Sequence, residues 1–117
     1  MSENTIFAKI IRKEIPADIV FENENVLAFR DINPQAPVHI LIIPKRYDLP
    51  KISDFETDKH KDILAELFST ANKIAEQLNI AKEGYRLVIN CGDNAGQEVL
   101  HLHLHLLGGR KMNWPPG

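Results

Sequence analysis

LHLHLHL, residues 100–106, sets His101, His103 and His105 two residues apart with leucines between them. In an extended chain residues i, i+2 and i+4 share a face and rise about 3.3 Å each, so neighbouring imidazoles stand roughly 6.5–7 Å apart at Cα. The pattern predicts a strand over 100–106, with the leucines on a buried face and the histidines on the opposite one. A slip of one residue would exchange the two sets, so the leucines pin the register. The imidazoles must then meet water or be hydrogen-bonded, because an unsatisfied buried polar group is costly. A cleft is their expected setting.

The flanking sequence supplies the rest of the sheet. Thr5 can cap a short helix carrying Ile6, Phe7, Ile10 and Ile11 that ends before Pro16. Ile19–Glu22 and Val26–Asp31 read as the two strands of a hairpin around the polar Asn23–Asn25. Val38–Pro44 is apolar apart from His39 and belongs at the sheet centre. Adjacency to the histidine strand would make His39 a fourth imidazole on that face. Leu64, Leu67, Phe68, Ala71, Ile74, Ala75 and Leu78 recur at spacings of three and four, predicting an amphipathic helix from about Thr57 to Leu78. Arg86–Asn90 reads as a fourth strand and Cys91–Gly96 as the loop into the histidine strand. One long helix between two groups of strands gives an α+β fold, with the leucine face under that helix and the histidine face turned away.

At 117 residues, 44% of them hydrophobic, the chain fits a single domain over 1–117, with a core over 5–109 and a tail over 110–117. Basic and acidic residues nearly balance, 14 against 16, which disfavours general nucleic-acid binding. No apolar run approaches the roughly 20 residues of a membrane span, and no cationic leader precedes Ile6. Cys91 is the single cysteine, so no intramolecular disulfide forms. The expectation is a soluble, cytoplasmic protein.

Three chemistries compete for the histidine face. It can be a polar outer surface that happens to use histidine. It can be a metal site, although His101 and His105 stand about 13 Å apart at Cα in a strand and no cysteine pair supports them. Or the central imidazole is a nucleophile, with its neighbours donating hydrogen bonds to an anionic substrate and its leaving group; this reading accounts for all three positions. The small-residue loop Gly92–Gln97 can bring backbone N–H groups close to an anion, and Asn90 and Gln97 add neutral amides, though both also suit turns. The loop has no P-loop lysine, so kinase or ATPase chemistry is not indicated.

GQEVLHLHLHLLGG, residues 96–109, resembles the HxHxHxx signature of the histidine-triad (HIT) superfamily, and residues 5–45 (TIFAKIIRKEIPADIVFENENVLAFRDINPQAPVHILIIPK) resemble its Hint branch. The resemblance implies a five-stranded antiparallel sheet with one long and one short helix, continued across a homodimer. It implies hydrolysis of purine nucleoside 5′-phosphoramidates, such as adenosine 5′-monophosphoramidate, to the nucleoside monophosphate and an amine, with no metal or other cofactor. Two alternatives from other classes stay open: a dinucleoside polyphosphate hydrolase, and a nucleotide-binding regulatory protein whose catalysis is incidental.

By position, the resemblance makes His103 the nucleophile, transiently nucleotidylated, with His101 and His105 in proton and phosphate roles and His39 supporting them. Asn90, Gly96, Gln97 and Glu98 would lie at the phosphate, and Asp31 would accept the ribose hydroxyls. Ile6, Phe7, Ile10, Phe29 and Ile32 would form the base pocket, although each taken singly reads as core. Glu98 stands where many eukaryotic members have serine, so its carboxylate should turn away from an anion and leave only its backbone N–H to serve. Arg30 reads as solvated and Cys91 as packing. Trp114, in the tail, is a candidate contact to the leaving group in the partner's site. Mutual repulsion among the imidazoles is expected to keep His103 neutral, beside a protonated neighbour that serves the leaving nitrogen.

Overall fold

Asn23 closes the first hairpin: its Oδ1 accepts the backbone N–H groups of Asn25 and Val26, both at 2.9 Å, an Asx arrangement that reverses the chain. A computed structural model describes residues 2–117. Strands β1 (Ile19–Glu22) and β2 (Val26–Arg30) flank that turn, and β3 (Val38–Pro44) follows the Pro34–Pro37 turn. The long helix α2 (Thr57–Gln77) precedes β4 (Tyr85–Val88) and β5 (Leu104–Gly108). The five strands form one antiparallel sheet in the order β1-β2-β3-β5-β4. β3 lies at its centre, beside β5, as its nearly unbroken apolar sequence requires.

Both faces of that central strand are covered. Ile40 and Ile42 join Leu104 and Leu106 beneath Ile63, Leu67, Ala71, Ile74 and Ala75 of α2. On the other face Leu41 and Ile43 pack with Leu27, Phe29 and the short helix α1 (Ile6–Ile11) through Phe7 and Ile10. Thr5 starts α1 by accepting the N–H of Ala8 on its Oγ1 at 3.1 Å. β5 also passes close beneath Ile80, where a Cβ on Gly108 would come within 2.5 Å of the Ile80 Cδ1. Among the described residues no helix is long and apolar enough to cross a membrane.

The histidine strand departs from expectation at its start. It begins at Leu104 rather than Leu100, and Leu100 is 53% exposed instead of belonging to the buried leucine face. The cause lies in β3. Ile42 pairs with Leu104, so the continuing register would set Pro44 opposite Leu102, and proline has no N–H to give the ladder. The Leu102 N–H turns instead to the Leu49 carbonyl at 3.0 Å. β4 runs over 85–88 rather than 86–90: Val88 pairs with His105, and β5 begins only one residue before that, at Leu104, leaving Asn90 no partner in β5. Alternation nonetheless persists past the ladder, since Leu102 stays in the α2-side core. Leu106→Ala should therefore cost about 2–5 kcal/mol in urea unfolding, whereas Leu100→Ala should stay within about 0.5 kcal/mol of the parent.

Candidate active site

Pro44 ends the central strand, and its free carbonyl accepts the Nε2–H of His101 at 2.8 Å. The carbonyl of His101 in turn accepts the Nδ1–H of His103 at 2.7 Å. A carbonyl only accepts, so both tautomers are fixed: His101 keeps a bare Nδ1 and His103 a bare Nε2. At the other side of the site the backbone N–H of Gln35 donates to Nδ1 of His39 at 3.0 Å. Neutral His39 therefore carries its proton on Nε2, which lies 3.0 Å from Nδ1 of His105. With that nitrogen accepting, His105 holds its own proton on Nε2. Two buried atoms of this network have no partner among the described residues, Nδ1 of His101 and Nε2 of His105. One is an acceptor and the other a donor.

The face is drier than a cleft. His101 is 1% exposed and His103 8%, because α1 lies over them: the Phe7 ring meets the His103 ring edge to face at 5.0 Å and that of His101 at 6.3 Å. Tyr47 closes the far side, 5.9 Å from His101, and the His103 and His105 rings are 5.1 Å apart. Burial, more than mutual repulsion, sets the charge state. Desolvation is the leading cause of the lowered pKa of His39, His101 and His103, and Asp31 partly opposes it at His39 and His103. His105, which also feels His103 and His39, is pushed down to about 4. All four shifts disfavour the protonated imidazole, which runs against the protonated neighbour expected from the sequence.

The remaining sequence-predicted residues divide. Asp31 joins the network, its Oδ2 being 3.4 Å from Nε2 of His39 while its Oδ1 accepts the Asn33 N–H at 2.8 Å. Asn90 is half-buried just past β4, and its side chain makes no hydrogen bond among the described residues. Gln97 is the opposite case. Its Oε1 accepts the Gly92 N–H at 3.0 Å, and its Nε2 donates to the carbonyls of Pro50 at 2.9 Å and Val99 at 3.0 Å. Its donors are spent inside the loop. The N–H groups of Gly96 and Gln97 also turn inward, to the carbonyls of Asp93 and Gly92, so the anion cradle expected from Gly92–Gln97 is not formed by them. Gly96 serves the turn instead, with φ +82 that a side chain rarely adopts. Glu98 is exposed, and its backbone N–H has no partner among the described residues.

Phe7, Ile10 and Phe29 are core residues backing the imidazoles, whereas Ile6 is half-exposed and Ile32 is 98% exposed. Three of the five are packed in the core and two are exposed, so they do not line one closed pocket. Trp114 sits at the outer strand of the sheet, 5.9 Å from the Arg86 guanidinium, which also bonds the Asn113 carbonyl. It is 81% exposed. Arg30 is exposed beside Asp18, as expected, at 3.4 Å.

Asp31, His39 and His105 each offer one ligand atom within 4.8 Å of the others, the arrangement of a small metal site. The tautomers oppose it. A metal-bound histidine ordinarily donates its other ring N–H, but here Nδ1 of His39 accepts one from Gln35. Metal at Nε2 would demand an imidazolate or the loss of that bond.

A family model of the HIT domain matches residues 12–112 of the chain. The chain is 54% identical over 112 residues to a purine nucleoside phosphoramidase of Escherichia coli (strain K12), covering 96% of this chain and 92% of that protein. It is 58% identical over 114 residues to the adenylylsulfatase HINT1 of Arabidopsis thaliana, covering 97% of this chain and 76% of that one. The crystal structure of a HIT family hydrolase from Legionella pneumophila Philadelphia 1 superposes with a TM-score of 0.94 at 53% identity, over 97% of this chain and 100% of that one.

The lowered histidine values have a consequence for stability. Between the ordinary value of 6.5 and the folded value of about 4 for His105, the unfolded chain binds more protons than the folded one. Stability is therefore complete above pH 6.5 and falls as the pH drops through that window. The melting temperature followed by circular dichroism should fall by roughly 5 °C or more between pH 6.5 and 4.5. His105→Gln should flatten this slope, and an unchanged slope would place the titration elsewhere.

Proposed function

Because this chain belongs to the HIT domain family, we propose that it is a hydrolase of purine nucleoside 5′-phosphoramidates, acting through a nucleotidyl intermediate on His103. The observation that carries this reading is the hydrogen bond from Nδ1–H of His103 to the His101 carbonyl at 2.7 Å, which leaves Nε2 as a neutral lone pair. A neutral nucleophile suits an anionic phosphoramidate, which repels an anion. Nε2 attacks phosphorus, the P–N bond to the amine breaks, and the departing nitrogen takes its electron pair and a proton from a flanking imidazole. Water then attacks phosphorus and displaces His103, its proton returning to that imidazole as the monophosphate forms.

The flanking histidines are unequal in this scheme. His105 holds the free ring N–H, while the Nε2–H of His101 is committed to Pro44. Arrival of the phosphate anion raises the proton affinity of His101, whose bare Nδ1 can take a second proton, supplying the charge that burial withholds in the free site. His39 holds His105 in its tautomer. The unbonded amide of Asn90 and the free N–H of Glu98 are donors for phosphoryl oxygens, with Gly96 and Gln97 shaping the loop behind them. Asp31 retains lone pairs for a ribose cis-diol. The exposed Ile6 and Ile32 would flank the purine above the floor of Phe7, Ile10 and Phe29. The neutral, mutually bonded imidazoles support a route without a metal.

Sheet continuation across a homodimer fits the outer edge at β4, whose far side pairs with no strand among the described residues and where exposed Trp114 lies 5.9 Å from Arg86. Trp114 would then reach the partner's leaving-group side.

His103→Ala should retain AMP binding within about threefold and lose adenosine phosphoramidate turnover by roughly a thousandfold or more. Undiminished turnover would exclude the nucleophile. Side-by-side rates on the phosphoramidate, adenylyl sulfate and diadenosine triphosphate should rank the phosphoramidate first; a preference for either other substrate would move the assignment to that leaving group. Light scattering should give twice the chain mass, and a Leu87→Pro change in β4, which removes an N–H facing away from β5, should shift it to the monomer.

A further inference from the structure

His60 is the one histidine outside the site, and it is 1% exposed. It lies in the first turn of α2, where Glu56 provides no side-chain cap, and its Nδ1 accepts the Glu56 N–H at 2.9 Å. Its Nε2–H is thereby directed to Oδ2 of Asp48, at 3.1 Å. Asp48 also receives both Nε and Nη2 of Arg46 at 2.6 Å, a two-point clamp across the segment that follows β3. That segment carries the groups that hold the histidine motif. Tyr47 packs against His101, the Leu49 carbonyl takes the Leu102 N–H and the Pro50 carbonyl takes the Gln97 amide, just beyond the β3 residue Pro44 whose carbonyl bonds His101.

We propose that His60 is a positioning residue: through Asp48 it anchors residues 46–50 to α2, and that segment fixes His101, whose carbonyl sets the tautomer of His103. The inference rests on the phosphoramidase reading for its kinetic consequence, but not for its structural one. A side chain that only capped α2 would need nothing beyond Nδ1. The donor aimed at Asp48 is what connects the helix to the site.

Two substitutions separate these functions. His60→Asn keeps an acceptor near Nδ1 for the Glu56 N–H and removes the donor to Asp48, whereas His60→Gln places an amide donor near Nε2. The Asn variant should lower kcat by roughly 10- to 100-fold with KM within about twofold, and the Gln variant should restore most of the rate. Asp48→Ala, at a partly exposed position, breaks the same link from the other side and should reproduce the kcat loss even if the Asn variant folds poorly. Histidine 15N–1H correlation spectra provide a readout independent of substrate: the His101 Nε2–H, slowly exchanging in the parent, should exchange faster or shift in His60→Asn and Asp48→Ala. An unchanged His101 signal, or equal rates for the Asn, Gln and parent proteins, would overturn the proposal. Changed spectra in a protein whose parent form does not cleave phosphoramidates would overturn only the phosphoramidase reading.

Discussion

The hydrogen bond from His103 to the carbonyl of His101, two residues earlier, is the constraint on which the site depends. It is available because the chain has left the ladder there: a carbonyl engaged with a neighbouring strand would be less free to accept an imidazole N–H. Pro44 creates the departure. Lacking an N–H, it ends the pairing of β3 with β5 and turns its own carbonyl to His101. The carbonyls of Pro44 and His101 each fix the tautomer of one histidine.

The two-sided sheet explains why these imidazoles are neutral. α2 covers one face with aliphatic side chains, and α1 lays Phe7 across the other, over the histidines themselves. Removing the rings from water disfavours their protonated forms, and His105 feels this together with two neighbouring imidazoles. The same burial destabilises the fold in acid and would suit the neutral nucleophile we propose for an anionic substrate. Stability at low pH and that proposed chemistry share one cause.

Much of the framework was legible in the chain. The hairpin around Asn23–Asn25, the central position of β3 and the extent of α2 follow from turn chemistry and apolar periodicity, which act over a few residues. The meeting of His39 with His105 was conditional in the sequence on their strands being neighbours, and the pairing of β3 with β5 decides it. Less legible were the residues whose role depends on what lies opposite. Gln97 reads equally as a ligand amide or a turn amide, and only the carbonyls of Pro50 and Val99 decide for the turn. Ile6 and Ile32 are apolar, yet they are exposed. His60 carries no local signal of importance, because its partner Asp48 is twelve residues away, across a loop.

The alternation of leucine and histidine by itself determined which side chains share a face, since the period of an extended chain is a property of the backbone. It also determined which face enters the core, because slipping by one residue would bury polar rings in place of leucines. It did not determine where pairing stops, which nitrogen of each ring holds the proton, or how far the rings are removed from water. Those were decided by Pro44 on the neighbouring strand, by the N–H of Gln35 and by the helix carrying Phe7. Each is distant in sequence and acts through a contact that exists only after the chain has folded.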